Sequence, residues 1–314
     1  MNLAIEATQL SKQYPSQREN HPAIENIDLS IPTGTLYGLV GPDGAGKPTT
    51  LRILATVMEP TSGQARVGGF DVVRQAEKAR PLIGYMPQAF SLYPDLTVME
   101  NLIFFADING VSKARRKSRI EELLDFTRLG EFTKRRSEHL SGGMRKKLAL
   151  ACALIHEPRV LLLDEPTTGV DPVSRRELWH SLSQVIVNGV TVLVSTPYMD
   201  EAERCKKVSI IYQGSMLTNG APAELERQMP FRIIEVKALP RRILRLVVDK
   251  TEGITSWRAV GDRMRLSVEN PVDFMPHLQR ALTKEGADIS ILREASLTME
   301  DVFIYLVEKQ ETLA

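Results

Sequence analysis

Apolar runs that end at glycine or at acidic residues characterise the first part of the chain. Thr35–Val40 predicts a short buried strand that leads into a glycine-rich segment. Val160–Leu163 predicts a second buried strand, which ends at Asp164 and Glu165. A charged stretch lies between these strands, and Ser112–Thr127 within it predicts a helix. We therefore predict an α/β fold class for this region.

The pattern changes from about Phe231 onward. The predicted strands of this part are Phe231–Lys237, Ile254–Val260, Arg263–Val268 and Ala287–Leu292. The predicted helices are Pro240–Asp249, Val272–Lys284 (beginning near Asn270-Pro271) and Thr298–Glu308. The order β-α-β-β-α-β predicts a small α+β domain of the ferredoxin-like kind. Asn219-Gly220-Ala221-Pro222 predicts the preceding turn, so we place the domains at residues 1–225 and 226–314.

Residues 41–50 carry the clearest chemical pattern of the chain. They read Gly-Pro-Asp-Gly-Ala-Gly-Lys-Pro-Thr-Thr, which matches the phosphate-binding pattern G-x-x-x-x-G-K-[ST] except at its last position. Glycines let backbone N–H groups surround phosphates, and the following helix directs the positive end of its dipole at the anion. The residues predicted to bind a nucleoside triphosphate here are Gly41, Pro42, Asp43, Gly44, Ala45, Gly46, Lys47, Pro48, Thr49 and Thr50.

Pro48 stands where this pattern has serine or threonine. Proline has no hydroxyl to bind Mg²⁺ and no backbone N–H to donate to a phosphate. It fits the first turn of a helix, so we expect the loop to form. A lost hydrogen bond to a charged group costs about 1.5–3 kcal/mol. We predict that nucleotide binding survives, and that hydrolysis at this loop is slower by on the order of 10²–10³-fold.

Two later motifs narrow the class of NTPase. Leu140-Ser141-Gly142-Gly143 opens a helical segment, and Asp164 and Glu165 follow the strand Val160–Leu163. At a strand end, Asp164 is placed to hold Mg²⁺ through water, and Glu165 to polarise the attacking water as the catalytic residue. A phosphate loop, then L-S-G-G, then a hydrophobic strand ending in Asp-Glu is the order found in ATP-binding cassette (ABC) proteins, which the first 225 residues resemble.

The resemblance implies roles for further residues. Tyr14 resembles the aromatic residue that stacks on adenine, and Gln88 resembles the glutamine that contacts Mg²⁺ and reports to the membrane subunit. Ser141–Gly143 resemble the signature that completes the ATP site of a second cassette, and Gly169-Val170-Asp171 resembles the loop at the dimer interface. The implied fold is a P-loop NTPase cassette, with a RecA-like core, an antiparallel β subdomain and a helical subdomain at about residues 89–150.

A second proline departs from the family pattern. In Ser195-Thr196-Pro197-Tyr198, Pro197 replaces the histidine with which the family contacts the γ-phosphate. Pro48 and Pro197 therefore weaken the same site, while Ser141–Gly143 remain intact to complete a partner's site. We predict an asymmetric pair in which this chain's own site holds ATP as a slow clamp and a related, complete cassette turns over.

The segment Leu297–Phe303 resembles the C-terminal extension of cassettes that serve ABC-2-type exporters. This implies the ATP-binding subunit of such an exporter, with ATP and Mg²⁺ as ligands. The implied partners are a membrane permease and a second cassette, which is either an identical or a related chain. The alternative is a non-catalytic regulatory ATP-binding cassette, against which the intact Glu165 argues. Soluble cassette proteins that act on ribosomes or DNA usually carry paired cassettes or long coiled insertions. A single cassette with a net charge near zero fits that class poorly.

Composition excludes some other classes of function. With 314 residues and 43% apolar content, the chain has room for one large and one small domain. Its formal net charge of +1 gives no basic field for nucleic acid, which we do not expect as a partner. Two cysteines form no disulfide or metal pattern, as expected of the reducing cytoplasm. Without an apolar run of about 18 residues or a signal-peptide pattern, we expect a cytoplasmic chain held on the inner face of the membrane through the permease.

Overall fold

The structure is a computed structural model that describes residues 2–15, 22–89 and 92–313. It divides the chain into two compact units, the first ending at Pro222 and the second comprising Ala223–Leu313. The boundary predicted after residue 225 falls inside a short helix, Pro222–Arg227. Among the described residues, no helix combines the length and the apolar character that crossing a membrane requires.

The first unit contains two sheets and a set of helices between and around their strands. Its strands are β1 (Leu3–Lys12), β2 (Ile24–Pro32), β3 (Leu36–Val40), β4 (Ser62–Val67), β5 (Phe70–Asp71), β6 (Ile83–Met86), β7 (Val160–Asp164), β8 (Thr191–Thr196), β9 (Lys207–Tyr212) and β10 (Ser215–Gly220). Its helices are α1 (Lys47–Leu54), α2 (Ala76–Ala79), α3 (Val98–Ile108), α4 (Lys113–Thr127), α5 (Gly142–Leu154), α6 (Pro172–Val187) and α7 (Met199–Ala202), and α8 (Pro222–Arg227) begins at its last residue.

The central sheet has six strands in the order β10-β9-β3-β8-β7-β6. The strands from β9 to β6 are parallel, and β10 pairs with β9 antiparallel. A second, antiparallel sheet has the order β2-β1-β4-β5, and both sheets bury side chains in one core that includes Ile5, Ile27, Leu39 and Leu162. Burial on both faces explains why the strands of the central sheet are continuous apolar runs. The parallel strands bring the loops that follow β3, β6, β7 and β8 to one edge.

The predicted strand before the glycine-rich loop and the predicted charged helix are both present. They span Leu36–Val40 and Lys113–Thr127, with Ser112 as the N-cap residue of the helix. The turn predicted at Asn219-Gly220 was wrong, because both residues continue β10 and pair with Ser209 and Val208 of β9. Strand pairing across the sheet overrides the local preference of Asn-Gly for a turn.

The second unit has the predicted order β-α-β-β-α-β, followed by a last helix. Its strands are β11 (Arg232–Leu239), β12 (Ile254–Val260), β13 (Arg263–Val268) and β14 (Asp288–Ala295), and its further helices are α9 (Arg241–Lys250), α10 (Pro271–Lys284) and α11 (Met299–Leu313). The sheet order is β12-β13-β11-β14, with antiparallel neighbours. Asn270 caps α10 as expected, by accepting a hydrogen bond from the N–H of Val272.

β11, β14 and α11 all extend beyond their predicted ends, and β14 continues to Ala295 rather than Leu292. β11 continues to Leu239, because Ala238 and Leu239 pair with Ile289 and Asp288 of β14. α11 continues to Leu313 through residues that favour helix, such as Lys309 and Glu311. The extension of β11 depends on strand pairing that a local pattern does not contain, whereas the extension of α11 agrees with local helix propensity.

Candidate functional site

The carboxyl ends of four strands of the central sheet gather the residues that the sequence predicts for the site. The glycine-rich loop follows β3, Gln88 follows β6, Asp164 ends β7 and Pro197 follows β8. The N–H of Gly41 donates to the carbonyl of Thr196 at 3.3 Å, which joins the start of the loop to the end of β8. Ligands of open α/β sheets bind at this edge.

The loop enters α1 through a residue that must be glycine. Gly46 is the N-cap residue with φ 102°, and a Cβ atom on it would lie 2.4 Å from the carbonyl oxygen of Ala23. Pro48 lies in the first turn of α1, where its ring does not interrupt the helix. The N–H of Thr50 donates to the carbonyl of Gly46 at 3.0 Å, so the first helical turn is closed. The loop therefore accommodates Pro48 structurally, although this position provides neither a hydroxyl nor an N–H.

Lys47 is buried inside the loop that it belongs to. Its side chain is 1% exposed, and Nζ donates to the carbonyls of Gly41 at 2.7 Å and Pro42 at 3.0 Å. Nζ also lies 3.3 Å from Oε1 of Glu165, whose side chain is 3% exposed. A buried cation is tolerated only with such partners. A phosphate oxygen and the Glu165 carboxylate would compete for this ammonium group.

Glu165 has hydrogen-bond donors on both carboxylate oxygens. Besides Lys47 at Oε1, Oε2 accepts from Nε2 of Gln88 at 2.8 Å and from the hydroxyl of Thr168 at 3.2 Å. Its backbone has φ 46°, in the left-handed region, and its N–H donates to Oγ of Ser195 at 3.0 Å. The structure thus brings together Lys47, Gln88 and Glu165, which lie in three separate segments of the sequence.

Asp164 is the most deeply buried acid of the site. Oδ1 accepts a hydrogen bond from Oγ of Ser195 at 2.7 Å, whereas Oδ2 is buried and has no hydrogen-bond partner among the described residues. Burial raises the pKa of Asp164, although the bond from Ser195 opposes this shift. An oxygen of this kind suits a cation or its bound water, since an unpartnered buried acceptor is costly.

The Mg²⁺ that the family implies therefore finds part of its usual donor set here. Asp164 and Gln88 provide oxygen atoms at the strand ends, whereas Pro48 provides none. No group of three or more histidine, cysteine, aspartate or glutamate side chains is placed to hold a metal ion in the described part of the chain. Mg²⁺ commonly needs only one or two carboxylates beside water and the phosphates of its nucleotide, so the residues present fit a weakened site.

Tyr14 lies beside the helix that follows the loop. Its hydroxyl is 3.3 Å from Oγ1 of Thr49 and donates to Sδ of Met58 at 3.3 Å. Nζ of Lys12 lies 5.9 Å from the centre of the ring. The hydroxyl of Thr49 is thus directed towards Tyr14, and the stacking of this ring on adenine stays a prediction.

The signature residues begin α5 and pack against the start of α6. Oγ of Ser141 accepts from the N–H of Met144 at 3.3 Å, so this serine is also an ordinary N-cap. A Cβ atom on Gly143 would lie 2.3 Å from Oγ of Ser174, and one on Gly142 would lie 3.5 Å from the carbonyl oxygen of Gly169. Among the residues that the structure describes, these contacts join the signature to α6 and Gly169 rather than to the phosphate loop.

Pro197 follows a strand end that is firmly held. Oγ1 of Thr196 donates to Glu201 at 2.6 Å and accepts from the N–H of Tyr198 at 3.1 Å. Nε of Arg175 in α6 donates to the same Glu201 at 2.7 Å. Pro197 is half-buried at this position and offers no donor to a γ-phosphate.

Sequence reasoning did not identify three residues that contact the acid pair. Ser195 bonds to both acids, Thr168 bonds to Glu165, and Lys146 places Nζ 3.3 Å from the carbonyl oxygen of Glu165. Ser195 follows the apolar run of β8, and Lys146 lies in the polar run Arg145–Lys147 of α5. Neither position carries a local signal of its burial, which only the packing of these elements produces.

Comparison with known proteins gives a consistent result. The family model described as "ABC transporter" matches residues 24–168. The chain is 41% identical over 305 residues to the probable multidrug ABC transporter ATP-binding protein YbhF of Escherichia coli, covering 95% of this chain and 51% of YbhF. It is 38% identical over 309 residues to the daunorubicin/doxorubicin resistance ATP-binding protein DrrA of Streptomyces peucetius, covering 96% of this chain and 92% of DrrA. The chain thus spans about half the length of YbhF and nearly all of DrrA.

Solved structures of similar fold agree with these relatives. An ATP-binding subunit of an ABC transporter superposes with a TM-score of 0.65 at 30% identity, covering 72% of this chain and 93% of that chain. The cassette MJ0796, in a dimeric post-hydrolysis state bound to ADP and Pi, superposes with a TM-score of 0.64 at 26% identity, covering 69% of this chain and 98% of that chain. The resemblance inferred from the sequence is therefore confirmed, and the chain belongs to the ATP-binding proteins of ABC transporters.

Proposed function

We propose that this chain is the ATP-binding subunit of an ABC-2-type exporter, and that its own nucleotide site turns over slowly. The site would bind ATP through the phosphate loop, with Mg²⁺ held by Asp164 and Gln88. The names of YbhF and DrrA concern multidrug transport and drug resistance, which supports export as the process that this chain drives. Bound Mg²⁺ would neutralise charge on the phosphates.

The observation that carries this proposal is the position of two prolines around an intact acid pair. Pro48 lies in the first turn of α1, and Pro197 follows β8, whose Ser195 holds both Asp164 and Glu165. In this proposal, Lys47 and the loop backbone bind the phosphates, and Glu165 orients a water molecule. The hydroxyl at the metal and the donor at the γ-phosphate are missing. Binding therefore persists, while transition-state stabilisation is weakened.

The proposed partners are those that the family resemblance implies. Ser141–Gly143 would complete the site of a second cassette, which is either a copy of this chain or a related one. Gln88, which bonds to Glu165, would report the state of the site to a membrane permease. This chain would then act at the inner face of the membrane, held there by the permease.

The test compares ATP binding and ATP hydrolysis by the purified chain with Mg²⁺. We expect binding with turnover well below the roughly 1–10³ s⁻¹ of typical enzymes. The double substitution Pro48→Thr and Pro197→His is expected to raise turnover by on the order of 10²-fold. Adding Glu165→Gln to the double variant is the control, and it must remove the gain. Ordinary turnover by the unmodified chain would refute the slow-site proposal.

A mixing experiment tests the donated signature. The repaired chain that also carries Ser141→Ala should be inactive alone, because each of its sites receives a damaged signature. Adding the unmodified chain, with its intact Ser141, should restore turnover at the repaired site. If the repaired chain is active but mixing restores nothing, the signature is not donated between copies. A repaired chain that binds ATP without any gain in turnover would favour the non-catalytic regulatory cassette.

A further inference from the structure

We infer that Lys146 is a positioning residue that ties the signature helix α5 to Glu165 and Gln88. Through it, nucleotide in this chain's own site would alter the signature that the chain offers to its partner. The inference rests on the proposed function, because it concerns the regulation of the same paired sites. It assigns a role to a buried lysine that the phosphate chemistry does not use.

The contacts of Lys146 join three functional segments. The residue lies in α5, five positions after Ser141, and is 4% exposed. Its Nζ donates to the carbonyl of Glu165 at 3.3 Å and lies 3.5 Å from the carbonyl of Gln88. One ammonium group therefore touches the backbone of the segment after β6 and of the segment after β7, and it does so from the signature helix.

The backbone of Glu165 is held from two sides. Oγ of Ser195 accepts its N–H at 3.0 Å, and Lys146 donates to its carbonyl. Its left-handed φ of 46° is a conformation that non-glycine residues adopt only when their surroundings enforce it. Lys146 holds this backbone together with Ser195 and with the N–H of Thr168, which also donates to the Glu165 carbonyl at 3.3 Å. The direction of the Glu165 side chain therefore depends in part on this lysine.

Stability alone does not account for a cation at this position. Burial lowers the pKa of Lys146, while the negative charges of Asp164 and Glu165 oppose that shift. The next residue, Lys147, instead makes an ordinary ion pair with Glu177 of α6 at 2.5 Å. These neighbours in sequence thus have different roles and form a matched pair for an experiment.

The route from the site to the signature is continuous. A bound phosphate would compete with Glu165 for Lys47, and Glu165 shares a 2.8 Å hydrogen bond with Gln88. Both of these residues present their carbonyl groups to Lys146. A change in the backbone of Glu165 or Gln88 would therefore alter the start of α5, where Ser141 and the signature glycines begin the helix.

Hydrogen exchange of the full chain, with and without Mg²⁺ and ATP, tests this route. In the unmodified chain, ATP should slow exchange at residues 41–50 and also change it at residues 140–145, by on the order of 5-fold or more. Lys146→Met should bind ATP within about twofold of the original affinity, as expected for a group that does not touch the ligand, and should lose the response at residues 140–145. Lys147→Met is the control and should respond as the unmodified chain does. Lys146→Arg should restore the response.

A full response at residues 140–145 in a folded Lys146→Met variant would overturn the inference. If that variant does not fold, Lys146→Gln takes its place, since its shorter amide keeps donors but cannot reach both carbonyls. A response of about half or less in the Gln variant supports the inference, and a full response overturns it. Rapid turnover by the unmodified chain would refute the slow-site proposal while leaving this readout intact, so the two failures are distinguishable.

Discussion

Asp164 in the first unit and Asp301 in the second are both buried carboxylates, yet their surroundings differ. Asp301 accepts hydrogen bonds from Arg258 at 2.8 Å and Arg265 at 2.9 Å, on different oxygens. Asp164 accepts one from the hydroxyl of Ser195, and its other oxygen has no hydrogen-bond partner within the described residues. Asp301 is fully compensated by the fold, whereas Asp164 retains an oxygen for a ligand.

The pKa directions express the same difference. Burial raises the pKa of Asp164. Burial also pushes the pKa of Asp301 upward, but hydrogen bonds from Thr298 and Arg258 outweigh it and hold the pKa below its usual value. The pKa of Glu235 in the second unit is also lowered, and the hydrogen bond from Arg293 is the largest cause. Ionised acids thus stabilise the second unit, while in the first unit ionisation of Asp164 costs stability that binding can recover.

The largest expected effect comes from removing an arginine that pairs with the acids of the second unit. Arg265 is 10% exposed and bonds to Glu235 at 3.0 Å and to Asp301 at 2.9 Å. Arg265→Met should lower the free energy of unfolding of the second unit by about 3–5 kcal/mol, because it removes the shared partner of the buried Asp301 and the partly buried Glu235. Urea denaturation followed by tryptophan fluorescence measures this change, since Trp257 lies in that unit.

Arg293→Met is the matched control for this prediction. Arg293 also bonds to Glu235, at 2.9 Å, but its side chain is 62% exposed. Its removal should cost less than about 1 kcal/mol. Equal losses for the two variants would show that burial does not distinguish these pairs. Nucleotide binding should be unchanged in both variants, because neither residue lies in the phosphate site.

An intermediate effect is expected from Ser195→Ala in the first unit. The substitution leaves the N–H of Glu165 and Oδ1 of Asp164 without their shared hydroxyl, and should cost about 1–3 kcal/mol of stability. It should also lower the turnover of the repaired Pro48→Thr, Pro197→His chain, because both acids lose their orientation. Thermal denaturation and steady-state ATP hydrolysis measure the two effects.

Ser209→Ala is the control that separates the effect of Ser195 on stability from its effect on hydrolysis. Ser209 is equally buried, in β9 of the same sheet, and its hydroxyl lies 2.8 Å from that of Tyr37. Its substitution should cost similar stability and leave hydrolysis unchanged. If both variants hydrolyse ATP equally well, Ser195 has a structural role alone.

The sequence could predict those parts of the site that are contiguous in the chain. The loop at residues 41–50 and the strand that ends at Asp164 are local patterns, and the structure has both. Ser195 was not predicted, because its role exists only when β8 lies beside β7. Lys146 was likewise not predicted, since an apolar-periodic helix does not reveal which of its polar residues turns inward.

The distinction between local patterns and contacts formed only by folding also holds for the helices and strands. The capping box of Thr97 and Glu100, which begins α3, was present in the sequence but was not used to predict that helix. The order of the second unit followed from alternation and from the cap at Asn270. The end of β11 did not, because its pairing with β14 brings together residues about fifty positions apart. Local chemistry thus predicts where elements begin, and tertiary pairing decides how far they continue.

The smallest expected effect, and the one of opposite sign, comes from Asp164→Asn. The pKa of Asp164 is raised in the folded chain, so the fold favours the protonated carboxyl group. The stability that this protonated group contributes is fully present below the ordinary aspartate pKa of about 3.9. It is lost as the pH rises through the pKa of the folded state. At pH 7 the neutral amide should therefore stabilise the chain by about 1 kcal/mol, or 2–4 °C in Tm, and this gain should vanish near pH 4. Asp262→Asn is the control, because the pKa of Asp262 is lowered by Lys237 and its neutralisation should bring no gain. Calorimetry at both pH values measures this, and a loss of stability in Asp164→Asn at pH 7 would mean that the fold, rather than a ligand, compensates this acid.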